Sequence, residues 1–224
     1  MKSIVLLEAF FMISLVTYSQ SPQRILQSQS SNLKAPPDAA VLLYNTGIDH
    51  SDKKEYALGN KYYEMAIALD SDYIDAYNNL GLNFYEMNLL DSATYYLRIS
   101  LRKLPSGTSA MQNLGLVEEK AGDWAKALDL YRQIITIDPQ NPEGYYNAAR
   151  VLITMGKLED GLAQALQAEK IYTKLKSPQL SDCHYAIFVA YYNLKNKPMA
   201  KKYLALCKNE NVQIPPELEQ AANY

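Results

Sequence analysis

Two adjacent stretches of equal length decide the fold: residues 74–107 read IDAYNNLGLNFYEMNLLDSATYYLRISLRKLPSG, and residues 108–141 read TSAMQNLGLVEEKAGDWAKALDLYRQIITIDPQN. Aligned without gaps, both contain the string NLGL, and both have proline as the third residue from the end. Because a proline lacks the amide donor that a helix needs, each stretch predicts a helix, a turn, a second helix and a stop. A repeat of 34 residues is therefore the unit of this chain.

The same period extends in both directions. A small residue, expected where two helices approach closely, recurs at Gly47, Gly81, Gly115 and Ala149. A second small residue follows twelve positions later, at Gly59, Ala93, Ala127 and Gly161. These positions set units at 40–73, 74–107, 108–141 and 142–175. After an inserted segment, Lys176 to Leu180, residues 181–214 form a divergent fifth unit, in which Phe188 takes the small position and Pro198 opens the second helix.

This pattern resembles the tetratricopeptide repeat family, and the resemblance covers units 40–73 to 181–214. It implies an all-α, right-handed superhelical solenoid of five helix-turn-helix units. In such a solenoid the first helix of each unit lines a concave groove and the second forms the convex wall. Residues 215–224, which begin with two prolines, predict a short capping helix whose Leu218, Ala221 and Ala222 cover the last repeat.

The N-terminal residues have the composition of a leader. Met1 and Lys2 precede an apolar run of about thirteen residues, Ile4 to Val16, which is short for a membrane span. We expect cleavage after Ser19, and hence a periplasmic or extracellular protein without a membrane span in the mature chain. The alternatives are an uncleaved anchor or a buried N-terminal helix. Residues 20–39, rich in Ser, Gln and Pro, predict a disordered linker.

Composition and motifs point away from several functions. With 22 basic and 24 acidic residues the formal net charge is −2, so nucleic acid is not an expected partner. His50 and His184 are the two histidines and lie in no metal-ligand motif, and the chain contains no phosphate-binding glycine loop and no HExxH or GxSxG string. We therefore expect no enzyme activity, no metal and no cofactor.

Asparagine occupies the sixth position of four units, at Asn45, Asn79, Asn113 and Asn147. The resemblance places this position in the groove, where an amide can bond both the donor and the acceptor of an extended peptide backbone. Other groove positions hold aromatic, apolar and basic side chains, namely Tyr44, Tyr85, Tyr146, Tyr185, Tyr192, Ile48, Leu82, Leu116, Val189 and Arg150. The alternative is that the asparagines bond an adjacent helix and the tyrosines pack between helices.

The second position of each unit is neutral or acidic: Val41, Asp75, Ser109, Glu143 and Asp182. Family members that clamp the carboxylate of chaperone tails use lysine and arginine at positions two, five and six of the unit, and none of these positions holds a cation here. The sequence favours a ligand with some positive charge.

Cys183 and Cys207 fall near opposite ends of the antiparallel helices of the fifth unit. In an exported protein they are candidates for a disulfide, and the alternative is two buried free thiols.

Three functions remain open. The first is a scaffold that binds an extended segment of a partner protein in the groove. The second is a structural subunit of a cell-envelope assembly that uses the convex face, and the third is a small-molecule or glycan binder. The identity of the partner and the oligomeric state do not follow from the sequence, because repeat arrays of one fold bind different ligands.

Overall fold

The computed structural model describes residues 36–216, 218 and 219. These residues form ten α-helices and no strand, which confirms the all-α prediction. The helices are α1 (Asp38–Asp52), α2 (Tyr56–Leu69), α3 (Ile74–Glu86), α4 (Leu90–Lys103), α5 (Thr108–Lys120), α6 (Trp124–Ile137), α7 (Pro142–Thr154), α8 (Leu158–Leu175), α9 (Leu180–Asn193) and α10 (Lys197–Asn209). Odd-numbered helices are the first helices of the five repeats, and even-numbered helices are the second.

The predicted leader, residues 1–19, and most of the predicted linker lie outside the described residues. α1 begins at Asp38, so it includes the last two residues of the predicted linker. Pro37 takes an extended conformation and precedes the helix, and the carboxylate of Asp38 lies in the first turn, where it interacts favourably with the helix dipole.

The turn between the two helices of each repeat contains one residue in the left-handed region. These residues are Lys54, Asn88, Gly122, Gly156 and Lys195. The first four follow the 34-residue period, and the fifth is displaced by the inserted segment. The residue types do not predict this regular left-handed position, because glycine occupies it in only two of the five turns.

The described residues fall into two compact units, which we call the amino-terminal unit (residues 36–130) and the carboxy-terminal unit (residues 131–219). The core of the amino-terminal unit contains one cluster around Tyr63 and Leu80 and another around Leu97 and Leu114. The core of the carboxy-terminal unit contains a large cluster that extends from Ala149 to Leu218.

The small positions are sites of close helix approach, as predicted. A Cβ atom at Gly81 would lie 2.5 Å from Cγ of Leu97, and one at Gly47 would lie 2.5 Å from Cε1 of Tyr63. Leu97 and Tyr63 are themselves buried core residues, so neither has free space into which to move.

We expect Gly81→Ala to lower the free energy of unfolding by about 1–3 kcal/mol, because overpacking at Leu97 outweighs the better helix propensity of alanine. Urea denaturation followed by circular dichroism measures this change. Gly122→Ala is a poor control because the φ of Gly122 is +84°, whereas Ala125→Gly at an exposed site of α6 tests propensity alone. An unchanged or raised stability of Gly81→Ala would contradict the close approach.

The fifth repeat differs from the others as the sequence predicts. Pro198 lies in the first turn of α10, and the side chain of Asn196 caps that helix. Phe188 is fully buried, with its ring centroid 6.1 Å from that of Tyr185 and 6.2 Å from that of Tyr192. Leu218 is buried in the same cluster, which is the covering contact expected of the C-terminal segment.

Of the two alternatives for Cys183 and Cys207, the structure has the second: both residues are buried free thiols, and the candidate disulfide is not formed. The Sγ atom of Cys183 donates a hydrogen bond to the main-chain oxygen of Ala165 at 3.2 Å, so it is directed at α8. Burial raises the pKa of the Cys207 thiol to about 12 and also raises that of Cys183, which keeps both thiols protonated and unreactive.

Candidate functional site

The first helices of the amino-terminal unit are joined by three polar contacts between residues 35 positions apart. Asn79 Nδ2 donates to Tyr44 Oη at 2.9 Å, and Asn113 Nδ2 donates to Asn78 Oδ1 at 3.0 Å. Lys120 Nζ donates to the main-chain oxygen of Tyr85 at 3.2 Å and lies 4.5 Å from the centroid of its ring. These contacts hold α1, α3 and α5 in register on one side of the unit.

The predicted groove residues of this unit differ in accessibility. Tyr44, Ile48, Asn79 and Leu116 are buried, and Asn79 is only 8% exposed. Burial raises the pKa of Tyr44 far above its usual range, with Asp75 adding to the effect. The predicted groove residues left at the surface are Asn45, which is exposed, and Leu82, Tyr85 and Asn113, which are half-buried. The half-buried Lys120, which contacts Tyr85, lies beside them. We call these five residues the first-helix face.

The four asparagines at the sixth position of the repeats, which we call the asparagine ladder, have a structural role at two positions. The amide nitrogens of Asn79 and Asn113 bond neighbouring first helices, which is the alternative that the sequence left open. Asn113 is half-buried and Asn45 is exposed, so these are the two asparagines of the set that a ligand can approach from the surface. Peptide contact by the ladder stays a prediction.

In the carboxy-terminal unit, Asn147 is 0% exposed. Arg150 Nη1 donates to Asn147 Oδ1 at 3.0 Å, and Arg150 Cζ lies 5.8 Å from the ring centroid of Tyr146. Asn147 Nδ2 has no hydrogen-bond partner among the described residues. The three residues share one face of α7, so their side chains form a polar cluster inside a helical repeat.

Two carboxyl groups complete this cluster. Tyr172 Oη donates to Glu143 Oε1 at 2.7 Å, and burial raises the pKa of Glu143 despite this bond and the charge of Arg150. Burial likewise raises the pKa of Asp182 on α9, again opposed by Arg150. The sequence placed both carboxyls at the second position of their repeats, but only the structure shows that they act on the same guanidinium.

The remaining predicted tyrosines lie at or near the core. Tyr185 is buried beside Phe188, while Tyr146 and Tyr192 are half-buried. Burial raises the pKa of Tyr146 and of Tyr185 above the usual tyrosine range, so both remain neutral hydroxyls. Packing between helices therefore accounts for Tyr185, as it does for Tyr44.

A histidine bridge joins α9 to α8 and to the residue that follows α10, and the sequence did not predict it. His184 Nδ1 lies 2.9 Å from Glu210 Oε1, and His184 Nε2 lies 3.3 Å from Glu169 Oε1. The hydrogen bond with Glu169 raises the pKa of His184, helped by Glu210 and opposed by burial. The pKa of Glu169 is lowered, mainly by the same bond. The partners are far apart in the sequence and form no motif.

We expect the carboxy-terminal unit to lose stability as the pH rises through the folded pKa of His184. The folded pKa is raised above the unfolded value near 6.5, so the bridge contributes fully below that value and is lost above the folded one. Glu169, with a lowered pKa, limits the effect on the acid side, below its unfolded value near 4.5. Melting temperatures across this range measure the effect.

The matched control for this pH dependence is His184→Gln, which keeps hydrogen-bonding groups but cannot titrate. Lys202 and Tyr203 also face Glu169, and both remain in the control. The wild-type and variant melting temperatures should converge at alkaline pH. Parallel curves over the whole range would contradict the bridge.

Among the described residues, no group of histidine, cysteine and carboxylate side chains is arranged to hold a metal ion. Nor does any helix in that part of the chain have the length and apolar character needed to cross a membrane. Two shallow depressions, of about 450 and 370 Å³, are lined by residues 54–58 with Met87 and by residues between 208 and 219, and neither lining includes a residue of the first-helix face.

Comparisons with known proteins identify the repeats. Models of the tetratricopeptide repeat match residues 78–142 and 119–168. Anaphase-promoting complex subunit 3 of Schizosaccharomyces pombe is 22% identical over 184 residues, which cover 76% of this chain and 27% of that protein. The chain thus spans about a quarter of that relative, and it covers 45% of the chloroplastic protein PYG7 of Arabidopsis thaliana at 24% identity.

Solved structures show the same fold. Residues from 41 to the end of MamA from Desulfovibrio magneticus RS-1 superpose with a TM-score of 0.66 at 15% identity, covering 79% of this chain and 97% of that one. YrrB, described as a tetratricopeptide protein with an unusual peptide-binding site, superposes with a TM-score of 0.59 at 21% identity, covering 82% and 91%. The described residues therefore have the all-α fold of tetratricopeptide solenoids, and the family models match the repeats between residues 78 and 168.

Proposed function

We propose that this chain binds an extended segment of a partner protein on the first-helix face. The observation that carries the proposal is the set of three inter-repeat contacts that hold α1, α3 and α5 in register. Because the surface is already ordered before binding, a ligand bears little of the entropic cost of arranging it. The proposed role is binding, not catalysis.

The chemistry of the first-helix face suits a peptide backbone with apolar side chains. The amide of Asn45 and the carbonyl oxygen of Asn113 supply hydrogen-bonding groups, while Leu82 and the ring of Tyr85 supply contact area. The ammonium group of Lys120 holds the ring of Tyr85 in place, so the ring loses little conformational entropy when a ligand binds. A strip of polar and apolar side chains along three helices suits an extended ligand, because a compact molecule binds best where a concave pocket encloses it.

The comparisons support this proposal through the fold alone. YrrB, with the same fold, is described as having a peptide-binding site. Tetratricopeptide arrays differ in ligand, so the likeness does not extend to the identity of the partner.

Selection from a displayed library of unconstrained peptides of about ten residues tests the proposal, since that length spans the three helices. Peptides that bind the full chain should bind the double variant Leu82→Ser and Asn113→Ala at least about tenfold more weakly. The matched control is Leu69→Ser with Arg98→Ala, at exposed positions of α2 and α4. Equal affinity of the first variant and the wild type, or failure to select any binder, would refute the proposal.

A further inference from the structure

The second helix of the first repeat, α2, exposes a stripe of apolar side chains. Leu58, Met65 and Leu69 are all exposed. Spacings of seven and four residues bring side chains to the same side of a helix, so these three share one side of α2. The half-buried ring of Tyr62 lies on that side as well and stacks on the ring of His50 in α1, with 5.2 Å between the ring centroids. The apolar stripe therefore borders α1.

Leu42 extends this surface onto α1. It is 68% exposed, whereas Ala76 and Ala110, at the same position of the next two repeats, are 0% and 3% exposed. In the fourth repeat the position is Gly144, where a Cβ atom would lie 3.0 Å from side-chain atoms of α6, the preceding second helix. The position is thus one against which a preceding helix packs, and no described helix precedes α1. We call Leu42 and the three exposed residues of α2 the end face.

An apolar end face is unexpected in the outermost repeat of an array, because terminal repeats need a polar outer surface to stay in solution. It is also specific to this repeat. Each of the next three second helices has a charged residue at a position of the stripe, namely Lys103, Lys126 and Asp160. The end face therefore calls for an occupant that buries apolar side chains.

The sequence directly before α1 contains such side chains. Residues 20–35 read QSPQRILQSQSSNLKA, with Ile25, Leu26 and Leu33 as the large apolar residues. They are too few to form a core of their own. Three apolar side chains are nevertheless enough to pack on a surface that is already folded.

The length and position of this segment suit the end face. Residues 20–35 end two residues before α1 begins. The ring centroids of Tyr44 and Tyr73 lie 4.9 Å apart, so the first turns of α1 lie beside the loop that follows α2. The stretch from Leu26 to Pro36 can span up to about 35 Å, whereas the stripe on α2 is about 16 Å long. The segment therefore reaches every residue of the end face.

We propose that residues 20–35 bind the end face of their own chain, with Ile25, Leu26 and Leu33 packed against Leu42 and the stripe on α2. Tethering favours this occupant over a separate partner, because a linked segment is present at a high effective concentration. The residues after α10 provide a precedent within this chain, since they pack against the core of the last repeat, through Val212, Ile214 and Leu218. The first repeat is then capped by what precedes it, and the end face contains no residue of the first-helix face.

Photocrosslinking in the full chain, without any ligand, tests the proposal. A photoreactive amino acid replaces Leu42 or Leu69, and equal amounts of isotopically labelled and unlabelled chains are mixed before irradiation. Mass spectrometry then separates crosslinks within one chain from crosslinks between two. We expect crosslinks to residues 20–35 of the same chain, and none to that segment from Tyr95, an exposed residue of α4.

Substitutions in the segment show whether its apolar side chains are responsible. Ile25→Ser with Leu26→Ser should shift the docking equilibrium towards the free segment by at least about tenfold, so the crosslinks from Leu42 decline. Gln27→Ser with Gln29→Ser, in the same segment, is the matched control and should leave them unchanged.

Three results would overturn the proposal. Crosslinks only between labelled and unlabelled chains would assign the end face to a second copy, and an absence of crosslinks to residues 20–35 would leave it to a separate partner. Crosslinks that persist unchanged in Ile25→Ser with Leu26→Ser would show contact without apolar docking. Each of these results leaves peptide binding on the first-helix face untouched, because no residue of that face takes part.

Discussion

Replacing Phe188 with alanine is expected to lower the free energy of unfolding of the carboxy-terminal unit by about 3–5 kcal/mol. Phe188 is 0% exposed and its ring contacts those of Tyr185 and Tyr192, so truncation removes buried apolar area and leaves a cavity. The other repeats have glycine or alanine at this position. The residue that departs from the repeat pattern is thus the one around which the last repeat is packed.

Urea denaturation monitored by circular dichroism measures the loss at Phe188. Phe188→Leu should recover much of the stability, because it refills most of the cavity. Leu175→Ala removes an apolar side chain from an exposed site of α8 and should change the stability by less than about 0.5 kcal/mol. A loss below about 1 kcal/mol in Phe188→Ala would show that this side chain is not a core residue.

Replacing Arg150 with methionine is expected to cost about 3–5 kcal/mol at neutral pH. Arg150 is buried, and its removal leaves Glu143 and Asp182 without their compensating charge and Asn147 Oδ1 without its donor. The carboxyl pKa values, already raised, should rise further in the variant. The variant then gains stability relative to the wild type as the pH falls, because protonation removes the uncompensated charge.

The pH dependence separates this electrostatic explanation from lost packing. Unfolding free energies of the wild type and Arg150→Met should differ most at neutral pH and least in mildly acidic buffer. Adding Glu143→Gln and Asp182→Asn to Arg150→Met should restore most of the stability at neutral pH, since no charge remains buried. A deficit that is independent of pH and unaffected by these substitutions would attribute the loss to packing alone.

The sequence predicted the repeat and its packing because both follow from residues at a fixed period. Gly47 and Gly81 are small where Tyr63 and Leu97 approach, and Pro105 and Pro139 lie two residues beyond the ends of α4 and α6. These features are local to one unit, so a single 34-residue pattern contains them.

The contacts of the candidate site were harder to predict, because they join different repeats. The amide of Asn79 bonds Tyr44, which lies 35 residues earlier in the chain and not at the repeat spacing of 34. The repeat pattern therefore does not indicate whether an asparagine side chain faces a ligand or a neighbouring helix. The bridge from His184 to Glu169 and Glu210, and the shared action of Glu143 and Asp182 on Arg150, depend on the approach of separate helices. Sequence position alone does not specify side-chain direction at that level.

Site-specific photocrosslinking tests the central claim, that the partner binds the first helices, most directly. A photoreactive amino acid is placed singly at Asn45 or Leu82 on first helices, and at Tyr95 or Lys201 on second helices, using the full chain and a peptide from the displayed library. We predict crosslinks at Asn45 and Leu82 and none at Tyr95 and Lys201. Crosslinks confined to Tyr95 and Lys201 would contradict the claim and favour a partner bound to the second helices.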